Sequence, residues 1–491
     1  MKFKRIIIIV VTWHVFFLCQ AQQSFSEIFE KPQSDDYSLA IEELNGNYFV
    51  SVSSTDSSNG GYFTSIYKIN GSGSVTDSLF LDSCFTKEIL TCNNKLYIFS
   101  RKYLIPGNAE AIDIRGYDEN FNLIVDTCLT QADYHFGFND AVKSETDSFL
   151  VSFHKFNYTN GTDNYYGLLF LNEQLQFITQ NIYPVSPIDS YFSRPSVFEI
   201  PSKNLIILSG LYISTIGHIV YKIKKDDLQL ISIDSIHDIN QGQYNCFESI
   251  VLFDSIIIMQ GNIDQIAAPY LNEIGIIKTD TSFTNNIYKS FNTSGLDEKV
   301  AFKAIDKTIL NEIYIGGTLN KIGWGGGVFD SVDRWITVFK TDTSGQTFWS
   351  KNIGGDADYL LFHLKTTSDN GVLLVATKFD WHNSLITQRD VCVYKLDAQG
   401  NFVFVSEIPM GNKNELIVYP NPATETISFQ LKNNEKITGI EIFDITGKKV
   451  YVSQNEKSDF SFDVSRLKSG IYLYYLQTES NFYKGKFVIN K

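Results

Sequence analysis

One unit, repeated seven times with variations, most constrains what this 491-residue chain can fold into. A short run of β-branched or aromatic residues recurs with starts near Tyr48, Leu96, Phe149, Leu205, Ile256, Ile313 and Val372, so the spacings run from 48 to 59 residues. Each run is followed by a loop, a second strand and a tight polar turn. The turns align as INGSG, YDENF, LNEQL, KKDDL, TDTSF, TDTSG and LDAQG. Asp or Asn opens such a turn because its side chain can hydrogen-bond backbone two residues on, and Gly near the end tolerates positive φ. Another strand then follows, as in TFWSKNI and FVFVSEI. Apolar residues at helical spacing are scarce, so the fold class is all-β.

Repeats of this length with about four strands each point to a β-propeller. A single four-stranded sheet cannot bury both of its faces, whereas a ring of twisted sheets covers each face with a neighbour. Closing the ring also limits exposed strand edges. Seven blades fit best, and six or eight also suit units this divergent. The segment SFSEIFEKPQSDD (24–36) reads like the segments that end units elsewhere, so the first strand is expected to complete the last blade. The unit beginning WSKNIGGDADYLLFHLKTTSDNGVLLVATKFD resembles propeller-like repeats of secreted Bacteroidetes proteins, a resemblance that implies a fold and no ligand.

The chain begins like an export signal. Lys2, Lys4 and Arg5 precede the apolar run IIIIVVTWHVFFL, and a cleavage site is expected after Ala21. The run is too short to span a bilayer comfortably, no other segment could cross a membrane, and an exported, soluble mature chain is expected. Losing those three cations takes the net charge from −14 to −17. Residues 415–491 carry a net +1, which leaves −18 on residues 22–414. So acidic a body argues against nucleic acid, which rewards clustered Lys and Arg. Cys84, Cys92, Cys128, Cys246 and Cys392 remain after cleavage, an odd number without C-x-x-C spacing, which does not read as a disulfide framework.

The last 77 residues, 415–491, break with the repeat. ETISFQL, GIEIFDITGKKVYV, DFSFDV, SGIYLYYLQT and GKFVINK alternate and are separated by turns, as in a small β-sandwich. The domain plan is therefore a signal peptide over 1–21, a propeller over 22–411, a proline hinge over 412–424, and a terminal β unit over 415–491. YPNPA, IEIFDITGKKV, LKSGIYLYYL and GKFVINK together resemble the type A C-terminal sorting domain of the type IX secretion system. The resemblance implies the inner-membrane export machinery and the type IX machinery as partners. It also implies delivery to the cell surface or the medium. Carried onto this chain, it places recognition and folding roles on Pro420, Asn421, Pro422, Gly447, Gly470 and Tyr472.

Candidate binding residues come from the loops between second and third strands, which in a propeller share one face with the loops between blades. These loops are long and aromatic: STDSSNGGYF, HKFNYTNGTDNYYG, NKIGWGGGVFDSVDRW and KFDWHNSLITQRD. They put Tyr165, Tyr166, Trp324, Asp330, Trp381 and His382 forward as ligand-binding residues, beside Tyr62, Tyr158, Asp333, Asp380 and Arg389. Flat rings beside carboxylates suit a glycan or peptide by stacking and hydrogen bonding together, although rings in loops also serve simply to pack the loop down. No metal, nucleophile or cofactor motif occurs, and no catalytic residue or cofactor is assigned. A secreted glycan- or peptide-active hydrolase with a composite site on the loop-rich face, and a structural surface spacer, are the rival readings, because propellers host many functions.

Overall fold

The structure is a computed structural model. It describes residues 26–29, 36–56, 61–104, 109–157, 164–184, 192–212, 217–236, 244–252, 256–264, 272–291, 296, 298–320, 331–382, 389–401, 416–431, 436–444, 449–453, 459–478 and 482–491. The expected signal cleavage at Ala21 lies outside these residues.

Up to Asp390–Leu396, the described strands sort into seven antiparallel groups of four. The first has its inner strand in two pieces, Asp36–Tyr37 and Ile41–Leu44, both paired with Asn47–Asp56. Cys84–Cys92, Lys95–Leu104, Ala109–Tyr117 and Leu123–Leu129 form the second, from axis to rim. The third runs from Tyr134–Lys143 to Phe177–Pro184, the fourth from Phe192–Ile200 to Leu230–Ile236, and the fifth from Tyr244–Leu252 to Ile287–Ser290. The sixth and seventh, starting at Glu298–Lys307 and Asp358–Thr366, touch through a single parallel pairing of Lys303 with His363. In the seventh, the fourth strand is Ser26–Phe29, antiparallel to Asp390–Leu396, with Ser26 opposite Tyr394. The N-terminal strand thus completes the last blade. The fold is an all-β propeller followed by a small β-sandwich.

Burial follows position in the blade. Second strands are covered on both faces, so Ile313–Leu319 is buried throughout, and its sequence has no polar alternation. Outer strands alternate, as in Thr347–Gly354, because one face reaches solvent. The cores lie between blades: Tyr97 and Phe99 of the second pack on Phe138, Phe149 and Phe153 of the third. Inner strands share an irregularity. The register shifts between Thr86 and Glu88, Phe138 and Asp140, Ser193 and Ser196, Cys246 and Glu248, Val300 and Ile305, and Leu361 and His363. Such bulges turn extra side chains towards the axis.

The polar turns are built as expected at their start. Asp118 Oδ1 accepts from the Asn120 and Asn122 amides at 2.9 Å each, and Asp342 and Asp397 do the same in their blades. Their ends differ from expectation. The fourth turn residue has positive φ in every blade, but it is glycine only at Gly73, Gly345 and Gly400; the others are Phe121, Leu175, Leu228 and Phe283.

The C-terminal unit is two sheets, one of Leu416–Tyr419, Thr426–Leu431 and Asp459–Asp463, the other of Lys449–Ser453, Ile437–Asp444, Gly470–Thr478 and Phe482–Ile489. Ile427, Phe429, Ile440, Leu476 and Phe487 fill the space between them. The proline segment joins two paired strands of this sandwich, so that part of the expected 412–424 hinge is folded into the terminal unit.

Candidate functional site

Strand direction fixes which residues share the loop-rich face: the starts of inner and third strands and the ends of second strands. Trp381 and His382 follow the second strand Val372–Phe379 and meet there. The Trp381 Nε1–H donates to Asp333 Oδ1 at 3.1 Å, and His382 Nε2 lies 2.8 Å from the same oxygen. The two ring centroids are 3.7 Å apart with planes 31° from parallel. With Nε2–H donating to the carboxylate, the imidazole is fixed in one tautomer and Nδ1 is left as an acceptor.

The platform stands on a buried charge cluster. Asp358 is fully buried and receives Arg334 Nη1 at 2.7 Å and Arg389 Nη2 at 2.9 Å. Arg334 is the neighbour of Asp333, its Nε donates to Asn320 O, and Asn320 Nδ2 donates to Asp333 O at 2.9 Å. Arg389 closes the other stem of the loop that carries Trp381. Arg334 and Arg389, beside the described ends of two loops, are therefore tied to one carboxylate, each through one guanidinium nitrogen. Arg389, expected on the surface, is 1% exposed and has this anchoring place instead.

Of the other candidates, Tyr165 is half-buried at the start of Asn164–Leu171. Strand alternation turns Tyr166 the opposite way, into the interface of the third and fourth blades with Leu208 and Tyr221. It is a core residue. Trp324, Asp330 and Tyr158 lie outside the described residues.

Apart from Tyr62, the sequence reading missed a row of rings on the first three blades, because they occupy strand ends rather than loops. Tyr62 and Tyr103 stack at 4.3 Å and 13°, with Phe85 edge-on to Tyr62. His135 stacks on Phe156 at 4.5 Å, and the His154 ring lies 5.5 Å from that of Phe156, 25° from parallel. The Lys155 ammonium lies 4.2 Å over the Tyr134 ring. The only legible signal was a recurrence of Tyr, Phe and His where a strand should turn polar.

On the axis, Lys303 of the sixth blade reaches Glu88 of the second and Asp140 Oδ1 of the third at 2.8 Å. Asp140 also accepts from the Ala141 and Val197 amides. Burial pushes the Asp140 carboxyl up and the Lys303 ammonium down, each to about 7. Two carboxylates at the centre of a ring could serve acid–base chemistry, but here the lysine fills the space between them. Among the described residues no group of three metal-ligating side chains is present, and no helix is long and apolar enough to cross a membrane.

In the sandwich, Asn421 Oδ1 accepts from Val488 N–H at 2.8 Å, and Ala423 exchanges backbone bonds with Val488 and Asn490. The peptide bonds before Pro420 and Pro422 are both cis. Tyr472 is buried, and its hydroxyl donates to Lys468 O at 3.0 Å. At Gly470 φ is +157°, and a Cβ would meet nothing within 4 Å, so glycine is needed there for backbone conformation rather than space. Gly447 lies outside the described residues.

Residues 417–490 match the family described as secretion system C-terminal sorting domain. The chain therefore carries a type IX sorting domain and is an exported protein, placed at the cell surface or released. No curated protein matches the chain. Solved structures similar to it include a fungal alcohol oxidase of the AA5 family in complex with copper, at 12% identity, TM-score 0.44, covering 95% of this chain and 98% of that one. Another is the β-propeller domain of the Trilobed protease from Pyrococcus furiosus, at 10% identity and TM-score 0.42, covering 75% of this chain and 98% of that one. A third is the quinohemoprotein alcohol dehydrogenase from Pseudomonas putida HK5, at 10% and 0.42, covering 82% and 79%. At that level none bears on activity; the propeller follows from the strand pairing itself.

Proposed function

We propose that the exported chain is a glycan-binding module whose ligand docks on the loop-rich face of the propeller. In this reading a signal peptide ends at Ala21, the propeller spans 22–411, and the sorting domain of 415–491 serves delivery. The observation that carries it is the Trp381–His382 pair held on Asp333. An indole whose N–H is already bonded offers one fixed flat face, which suits the apolar face of a sugar ring. The neighbouring imidazole Nδ1 and carboxylate suit its hydroxyls. Pinning both loop stems through Asp358 lowers the ordering cost of binding. A hydrolase working through the axial carboxylates is disfavoured, because Lys303 is bonded to both Glu88 and Asp140.

The test is a glycan and peptide array probed with the exported chain and with Trp381→Ala. Glycan binding that falls about tenfold or more in the variant is expected, since a buried aromatic anchor is worth at least about 1.4 kcal/mol. Binding confined to peptides would replace the glycan by a peptide ligand. No binding at all would favour the spacer reading.

A further inference from the structure

We propose that the first and second blades carry a second sugar-ring subsite, formed by Tyr62, Phe85, Tyr103, Arg101 and Glu110, so that the ligand is a polysaccharide held at two places. The inference rests on the glycan reading above and names the class of glycan. These residues share the loop-rich face with Trp381. Tyr62 and Phe85 begin a third and an inner strand, and Arg101 and Tyr103 end a second strand.

The ring stack joins two blades without belonging to the core between them. That interface is filled by Phe49, Ile66, Ile89, Leu96 and Ile98, all buried. Tyr62 and Tyr103 lie beyond it at the strand ends, both half-buried, with parallel rings 4.3 Å apart. Beside them stands a polar fork. Arg101 Nε is 3.2 Å from Glu110 Oε2, with side chains 31% and 19% exposed. A flat ring with planar donors and acceptors at its edge is what a pyranose needs: stacking for its apolar face and bidentate partners for adjacent hydroxyls. Glu110 is held in turn, its amide donating to His135 Nδ1 at 3.2 Å.

Two platforms on one closed ring have a fixed separation. A short oligosaccharide fills either one; a long chain engages both, and the second contact is then intramolecular.

The experiment titrates the exported chain with soluble xylan, mannan, β-glucan and polygalacturonate, each beside its own hexasaccharide. For the polymer that binds, two hexasaccharides per chain are expected, falling to one in Tyr103→Ala and to one in Trp381→Ala. Polymer affinity is expected to drop about a hundredfold in either variant, the scale of lost avidity. Arg101→Gln, which spares the ring packing, is expected to weaken the same subsite should Tyr103→Ala fold poorly. One hexasaccharide per chain, lost in Trp381→Ala and untouched by Tyr103→Ala and Arg101→Gln, overturns the second subsite and leaves the first standing. No binding of any polymer or hexasaccharide overturns both.

Discussion

Four of the seven polar turns place a bulky residue in the left-handed backbone region that ordinarily selects glycine. Packing pays for it. Leu228 is fully buried against Tyr183 and Tyr221 of the third and fourth blades, and its carbonyl accepts the Tyr183 hydroxyl at 2.5 Å. Leu175 and Phe283 fill equivalent sites. Where glycine stands instead, a large neighbour fills the gap: a Cβ on Gly400 would lie 3.0 Å from the Trp349 ring. Left-handed geometry costs a side chain about 1–2 kcal/mol, while emptying a buried leucine site costs about 2–5 kcal/mol. The second term is larger, so Leu228→Gly is expected to lower stability by about 1–3 kcal/mol in chemical denaturation; a stabilised variant would mean that strain dominates. The turn itself was legible from its Asp or Asn. Its last residue was not, because a leucine in such a turn signals packing between blades that sequence spacing does not reveal.

At the scale of the element, the inner strands matter most. Each bulge turns side chains towards the axis, and Lys303 of the sixth blade meets Glu88 and Asp140 of the neighbouring second and third blades across it. Removing one member of a buried charge cluster leaves the others uncompensated and typically costs about 3–5 kcal/mol. Lys303→Met is expected to lose that much, whereas replacing all three by apolar residues of similar size is expected to recover most of it. Denaturation midpoints of the two variants check this; equal losses would show that the cluster contributes only packing. Strand existence and order were readable from the repeat, because second strands are apolar runs and outer strands alternate. The axial cluster was not, since its members lie 52 to 215 residues apart and only the bulges align them. The candidate site was half legible. Trp381 and His382 announced themselves as rings in a polar loop, while Tyr103 and Phe156 read as ordinary strand residues, and Tyr166 was misplaced by a single step of strand alternation.

At the scale of the whole molecule, the seam between last and first blades is expected to weaken in acid. His363 Nδ1 lies 2.9 Å from Leu39 O across that seam, and burial together with Lys303 and Lys365 pushes its pKa well below the usual value. A depressed folded pKa means the unfolded chain takes the proton first. The contribution is therefore complete above about pH 6.5 and is lost as pH falls below it, at about 1.4 kcal/mol per pH unit. His363→Asn is expected to flatten that part of the stability profile; an unchanged slope would assign it to other groups. Delivery belongs to this scale too. A chain lacking 415–491 is expected to accumulate in the periplasm, and unchanged surface or medium levels in fractionated cells would remove the sorting role.

The most direct measurement is hydrogen exchange of the exported chain with and without the polysaccharide it binds. Slower exchange at residues 101–104 and 379–382, with residues 118–121 and 342–345 on the opposite face unchanged, is the result expected of a ligand on the loop-rich face. Protection confined to those polar turns, or to the outer strands, would contradict it.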